Sequence, residues 1–181
     1  MILDKEVGAV GSFAFHKSNI HEIILPYNIT DIGYGAFQDC SNLTSVTIPD
    51  SVTRIGTSAF METGLTSINI PFSVTSLDSY TFSSCPNLEK ITVDPNNTTY
   101  CDDGNCIIKI SNKQLITGCK NTVIPNDGSV TSIGSVAFAD CIGLSNINIP
   151  NSITSIGSAT FAGCTGLTSI EIPDSVTTIG R

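Results

Sequence analysis

Short apolar stretches alternate with Ser, Thr, Asn and Gly along the whole chain, and they return at a nearly constant spacing. The phrase IPDSVTRIGTSAF at 48–60 comes back as IPNSITSIGSATF at 149–161. Aligned on the phenylalanine that ends the phrase, successive units lie 22, 23, 22, 56 and 23 residues apart. The anchoring residues are Phe15, Phe37, Phe60, Phe82, Phe138 and Phe161. A short unit repeated at a fixed period predicts stacked repeats, because each unit is too small to bury its own apolar face.

The segment 43–48 shows the pattern of a short strand within each unit. Val46 and Ile48 alternate with Ser45 and Thr47, so the two apolar side chains should point inward and the two polar ones outward. The proline that follows, Pro49, has no N–H to donate and should end the strand.

The second half of the unit predicts a return path that closes the coil. Val52 and Ile55 are spaced as a second inward-facing segment, Gly56 supplies a turn, and Phe60 fills the interior of the coil. Stacking such coils makes a continuous core. We therefore predict a β-rich solenoid of short parallel strands stacked coil on coil, with turns or short 3-10 segments opposite them.

One long interruption breaks the period. We assign 1–93 to repeat coils, 94–124 to an inserted segment and 125–181 to further coils of the same continuous solenoid. The centre of the insert predicts a β-hairpin between 106–110 and 115–119. Pairing Ile110 with Leu115 would place Cys106 opposite Cys119. A structural insert packed on the solenoid is favoured over a recognition loop, although insertions on solenoids often line a binding face.

The recurring motif IPxSVTxIGxxAFxxC resembles the BspA-like leucine-rich repeat family of bacterial and protist surface proteins. The resemblance implies a right-handed leucine-rich-repeat solenoid, secretion or attachment to a cell, and, for some members, adhesion to host proteins. An inserted hairpin between DPNN and the next IP also resembles what this family carries. The sequence departs from the motif locally, with Asp4 at a proline position and with Ser18 and Thr63 in the cysteine column.

Composition narrows the possible partners. The net charge of −8 argues against nucleic acid, which requires a basic surface. No apolar run approaches the length of a membrane span. The N-terminus has no signal-peptide features and the chain ends within a repeat at Arg181, so we expect a fragment of a longer protein. By resemblance, that protein is extracellular or at the cell surface, and we expect a monomer.

The seven cysteines do not indicate a metal site. Four of them (Cys40, Cys85, Cys141 and Cys164) lie three residues after a repeat phenylalanine, and we expect this column to be reduced and buried. An odd count rules out a fully paired set of intramolecular disulfides, and a possible disulfide is Cys106–Cys119. Cys101 and Cys106 lack a second close pair for zinc.

Other chemical motifs are weak. The run 102–105 (Asp-Asp-Gly-Asn) predicts a turn more than a calcium loop, since its acidic residues do not alternate. Four asparagines fit the N-x-Ser/Thr pattern of glycosylation sites: Asn28, Asn42, Asn96 and Asn97. Chance explains these matches, because the chain is rich in Asn and Thr. We predict no metal and no cofactor.

No catalytic constellation is visible either. His16 and His21 are the two histidines, and no nucleophile, base and orienting group can be assigned. We therefore predict a protein that is not an enzyme. It would be either a module presenting a surface for protein or glycan binding, or a structural spacer that carries other domains.

If the module binds a partner, the insert and the coil face beside it are the expected place. The outward strand positions elsewhere are small and polar, whereas binding hot spots favour Trp, Tyr and Arg. The candidate residues are Lys90, Thr92, Tyr100, Asp102, Asp103, Lys109 and Lys113.

Overall fold

The computed structural model describes residues 7–181. They form a parallel β-solenoid of about seven turns with almost no helix, which confirms the predicted fold class. The irregular first unit predicted around Asp4 lies partly outside the described residues. One 3-10 turn spans Ile110–Asn112. The strands are β1 Ala9–Val10, β2 Glu22–Ile24, β3 Asp31–Ile32, β4 Ser45–Thr47, β5 Arg54–Ile55, β6 Ser67–Ile70, β7 Ser76–Leu77, β8 Lys90–Val93, β9 Tyr100–Asp103, β10 Cys106–Lys109, β11 Gln114–Gly118, β12 Ser132–Ile133, β13 Ser155–Ile156 and β14 Thr178–Ile179.

Two strand ladders run along different sides of each coil. The first ladder contains the predicted strands, with β2 parallel to β4 and β6 parallel to β8. The second ladder is built from two-residue strands at the inward-facing segment before the glycine, in the orders β1-β3-β5-β7 and β11-β12-β13-β14. Its side chains add to the pairing, because Thr53 Oγ1 donates to the carbonyl of Thr30 at 3.3 Å.

The first ladder does not continue through the C-terminal coils. The segments 145–149 and 168–172, expected to be strands, make no backbone hydrogen bonds with each other within the described chain. The neighbouring segment of the insert is engaged elsewhere, since Val123 N donates to the carbonyl of Gly104 at 2.8 Å. The expectation of strands at these two places is therefore wrong.

The phenylalanine column is stacked through the interior, as predicted. The rings of Phe37 and Phe60 lie nearly parallel with centroids 5.2 Å apart, and those of Phe60 and Phe82 lie 5.7 Å apart. After the insert the stack resumes with Phe138 and Phe161 at 5.5 Å. The same side chain therefore provides much of the contact between the coils on each side of the insert.

The turn around each phenylalanine contains a feature that the sequence pattern does not reveal. The residues two before and two after the phenylalanine adopt left-handed backbone, for example Ser58 (φ 56) and Glu62 (φ 58) around Phe60. Most of these positions are not glycine, although a left-handed conformation costs an L-residue about 1–2 kcal/mol. The turn is kept because it aligns backbone groups between coils, as in Phe60 N to the carbonyl of Thr81 at 3.0 Å.

Two alanines of the same coil allow this cost to be measured. Ala159 is exposed with φ 51, whereas Ala162, also exposed, is outside the left-handed set. We expect Ala159→Gly to stabilise the protein by about 1 kcal/mol, because glycine adopts this backbone without strain. The control Ala162→Gly should destabilise it by about 0.5–1 kcal/mol through chain entropy. Equilibrium denaturation measures both, and equal losses for the two variants would contradict the assignment of strain.

The predicted hairpin is present as the antiparallel pair β10 and β11, and β9 extends it to a three-stranded antiparallel meander. β9 pairs with β10, and β10 pairs with β11. Cys106 faces Gly118 and Lys109 faces Gln114, so the predicted pairing of Cys106 with Cys119 and of Ile110 with Leu115 is wrong. The register differs because the 3-10 turn and a left-handed Lys113 (φ 53) tighten the loop, and because the pairing shifts between Ile107 and Ile108.

The middle strand of the insert separates two hydrophobic cores. Ile107 packs into the N-terminal core, while Cys106 and Ile108 pack into the C-terminal core. β11 then joins the second ladder through its parallel pairing with β12. Gly118 takes the phenylalanine position of this coil, since its N–H donates to the carbonyl of Ala137 at 3.0 Å as the repeat phenylalanines do to the next coil. The insert is thus built into the solenoid.

Candidate binding surface

Tyr100 belongs to the core and not to the surface. It follows Leu77 in the inward column of the second ladder, is 4% exposed, and its hydroxyl accepts the Leu77 N–H at 3.1 Å. Burial raises the pKa of Tyr100 above its ordinary value. The sequence suggests Tyr100 as a partner-binding residue, and the structure corrects this, because its ring contacts the solenoid interior.

Four other candidates lie on β8 and β9, and we call them the insert patch: Lys90, Thr92, Asp102 and Asp103. Asp102 Oδ1 accepts the backbone N–H of Val93 at 2.9 Å, which ties β9 to the end of β8. Lys90, Asp102 and Asp103 are exposed, and Thr92 is half-buried. The two strands therefore present one exposed cation and two exposed carboxylates.

Lys109 and Lys113 lie on the other side of the coil. Lys109 pairs with Tyr100 and Gln114, which places it at the second ladder. Lys113 donates from Nζ to the carbonyl of Gly128 at 3.2 Å. The candidates predicted as one site are thus divided into two groups that face different directions.

The cysteine column is held by hydrogen bonds between coils. The thiols of Cys40, Cys85 and Cys164 donate to the carbonyls of Phe15, Phe60 and Phe138 at 2.9, 3.1 and 3.0 Å. Each bond reaches the preceding phenylalanine-containing coil. The structure records all seven cysteines as free thiols. In residues 7–181 no group of three or more His, Cys, Asp or Glu side chains is placed to hold a metal ion.

Two of the three insert cysteines bond to different backbone carbonyls. Cys106 Sγ donates to Asp103 O at 2.9 Å and Cys119 Sγ to Asn105 O at 3.6 Å. The Cys106–Cys119 disulfide remains a prediction. Non-reducing peptide mapping of protein purified under oxidising conditions should find this bridge if any bridge forms. A bridge between Cys40 and Cys85 would contradict the observed order of coils.

Thiol reactivity should divide the cysteines by burial. Burial raises the pKa of Cys106 to about 12, with the nearby Asp103 charge adding to the effect, whereas Cys101 is exposed. The thiolate is the nucleophile, so a buried neutral thiol reacts slowly. We expect iodoacetamide to label Cys101 first at mildly alkaline pH and Cys106 only after denaturation, as mass spectrometry can follow. Equal labelling rates in the folded protein would contradict the burial of β10.

A carboxylate pair missed by the sequence analysis lies in the turns. Asp39 and Glu62 both follow a repeat phenylalanine by two residues, in successive coils. A hydrogen bond with Asp39 raises the pKa of Glu62, and burial and the Asp39 charge add to the shift. His16 Nδ1 lies 3.5 Å from Asp39. The shared position relative to phenylalanine is the signal that could have identified the pair.

An exposed aromatic residue was missed as well. The ring of Tyr27 is 75% exposed and, with Ile24 and Pro49, lines an apolar groove of about 380 Å³ over β2 and β4. The outward strand positions gave no sign of this residue because Tyr27 follows the strand after Pro26. This N-terminal groove is remote in sequence from the insert patch.

Comparison with known proteins agrees with the coil architecture. A family model described as "BspA type Leucine rich repeat region (6 copies)" matches residues 8–126 and 109–181. No curated protein sequence matches the chain. Among residues 7–181 no helix has the length and apolar composition needed to cross a bilayer.

Solved structures of bacterial leucine-rich repeat proteins share the fold. The pneumococcal vaccine antigen PcpA aligns with a TM-score of 0.83 at 21% identity, over 97% of this chain and 51% of that one. A leucine-rich cell surface protein from Faecalibacterium prausnitzii aligns with a TM-score of 0.70 at 32% identity, over 93% and 52%. The chain thus spans about half the length of these two proteins. Since the family model covers nearly all of its coils, the chain belongs to the BspA-type leucine-rich repeat family.

Proposed function

We propose that this chain is a non-catalytic module of a cell-surface or secreted protein and that it presents a surface for binding an extracellular protein or glycan. The family and the cell-surface relative from Faecalibacterium prausnitzii support a surface location. Repeated columns leave little room for a unique pocket of convergent polar groups, which an enzyme requires.

The insert patch is the proposed binding site. The observation that carries this is its departure from the repeat: Asp102 and Asp103 stand on β9, which pairs antiparallel with β10, and Lys90 is exposed on β8. Exposed groups of both charges favour a partner with complementary charges. Without an aromatic anchor one copy should bind weakly, and several repeat modules would supply strength through avidity.

Point variants test the site better than a deletion. Removing 107–118 would take out Ile107, Ile108 and Leu115, which are buried, and would unfold the neighbouring coils. The double variant Lys90→Ala/Asp103→Ala spares Asp102, whose carboxylate holds the end of β8. A second double variant, Lys109→Ala/Lys113→Ala, probes the other group.

The experiment is a binding screen of the immobilised chain against extracellular-matrix proteins and glycans. We expect binding to fall for Lys90→Ala/Asp103→Ala and to persist for the matched control Lys17→Ala/Asp50→Ala, whose positions are also exposed. Loss only in Lys109→Ala/Lys113→Ala would move the site to the second ladder. Binding that survives both double variants would place it away from the insert.

A structural spacer is the second candidate function. Its specific support is β10, whose side chains divide between the two cores and so make the insert a part of the solenoid packing. A spacer carries other domains and needs no partner of its own. A folded chain that retains none of the screened proteins or glycans would favour the spacer over the binding module.

A further inference from the structure

A polar groove lies on the C-terminal coils, well away in sequence from the insert patch. It has a volume of about 430 Å³ and follows the prolines of the last two coils. We call it the carboxamide groove, defined by Asn126, Asn148, Asn151, Ser152 and Glu171, with Pro150 and Pro173 beside them.

The Asn and Glu side chains that line this groove are exposed and make no hydrogen bonds within the chain. Among the described residues, the side chains of Asn126, Asn148, Asn151 and Glu171 have no hydrogen-bond or ion-pair partner. The hydroxyl of Ser152 is buried and also lacks a partner. Ser51, Ser129 and Ser175 are unpartnered at the same place in their coils, so the Ser152 hydroxyl is a feature of the repeat, and the exposed carboxamides are what set the groove apart.

The backbone beside the groove is also unpaired within the chain. The segments 145–149 and 168–172 make no backbone hydrogen bonds in the described chain, whereas the matching strands β6 and β8 pair with each other. Asn148 and Glu171 stand on these two segments. Donors and acceptors of backbone and side chains are therefore concentrated in one place.

The chemistry of the lining limits the ligand. No Lys, Arg or His lines the groove, which disfavours an anionic ligand. Carboxamides donate and accept at the same end of the side chain, and a carboxylate accepts, which together suit vicinal hydroxyl groups. An extended peptide fits less well, because Pro150 and Pro173 have no N–H and interrupt any continuous strand edge.

We propose that the carboxamide groove binds a neutral oligosaccharide. Like the proposed function, this inference assumes a module that binds through its surface. It differs in naming one class of ligand and a site other than the insert patch. The groove is open and without an aromatic ring, so the affinity should lie in the millimolar range, as weak single-site contacts do.

The experiment uses the whole chain with an array of neutral oligosaccharides of glucose, galactose, mannose and N-acetylglucosamine. The best-retained sugar is then titrated and followed by NMR of the asparagine side-chain amides. We expect the resonances of Asn148 and Asn151 to shift, and Asn148→Ala/Asn151→Ala to weaken binding at least about tenfold through two lost hydrogen bonds. The control Asn42→Ala, an exposed asparagine on another coil, should bind as the unmodified chain does.

Several outcomes overturn the proposal. Absence of shifts with every sugar at concentrations well above millimolar would do so, as would sugar binding unchanged in Asn148→Ala/Asn151→Ala while its unfolding midpoint equals that of the unmodified chain. Sugar binding lost only in Lys90→Ala/Asp103→Ala would refute the groove and leave the insert patch standing. Shifts caused by an extended peptide and by no sugar would refute the ligand class.

Discussion

Replacing Phe60 by alanine should destabilise the protein by about 3–5 kcal/mol, the range for a large buried side chain that leaves a cavity. Phe60 is fully buried and stacks between Phe37 at 5.2 Å and Phe82 at 5.7 Å. Its loss would open a void that the neighbouring rings cannot fill, because each is fixed in its own coil. Equilibrium denaturation measures the effect.

A matched control is the exposed Phe72, of which 48% is accessible. Phe72→Ala should change the free energy of unfolding by no more than about 0.5 kcal/mol, as a surface change does. A loss below about 1 kcal/mol for Phe60→Ala would mean that the stack contributes little between coils. Phe138→Ala should resemble Phe60→Ala, although Phe138 has a ring partner on only one side, in Phe161.

Replacing Asn97 by alanine should cost about 3–5 kcal/mol, because it would strand several buried backbone groups at once. Asn97 is 6% exposed and makes four hydrogen bonds. Its Nδ2 donates to the carbonyls of Pro71 at 2.8 Å and Val74 at 3.0 Å. Its Oδ1 accepts the N–H groups of Thr99 and Tyr100, both at 2.8 Å. The side chain thus joins the coil before the insert to the start of β9.

The neighbouring Asn96 is the control for this change. It is exposed and bonds only to Asp94, so Asn96→Ala should have an effect near about 0.5 kcal/mol. Denaturation combined with hydrogen exchange in β9–β11 separates the two variants. A small effect of Asn97→Ala, with β9–β11 still protected, would contradict its role as the anchor of the insert.

The burial of Asn97 also removes it as a glycan acceptor in the folded chain, although it fits the N-x-Thr pattern.

The candidate site could be predicted from the sequence only in part. The break in the period identified 94–124 as the irregular segment. Lys90, Asp102 and Asp103 could be chosen as candidate binding residues because they are charged and lie in or beside that segment. Tyr100 was misplaced because it takes the inward column that Leu77 holds one coil earlier, and the missing repeat motif hides that equivalence. The carboxamide groove gave no sequence signal, since its asparagines are spread over two coils.

The sequence by itself determined the repeat, its period and the inward column of phenylalanines, because identical short units must stack to bury their apolar faces. The tertiary structure alone decided the left-handed turn residues, the register of the insert and the end of the first ladder in the last coils. These depend on contacts between residues far apart in the chain, such as Asn97 with Pro71 and Val123 with Gly104. A local pattern of apolar and polar positions predicts the periodic packing of one coil on the next. It carries no information about contacts between residues far apart in the chain.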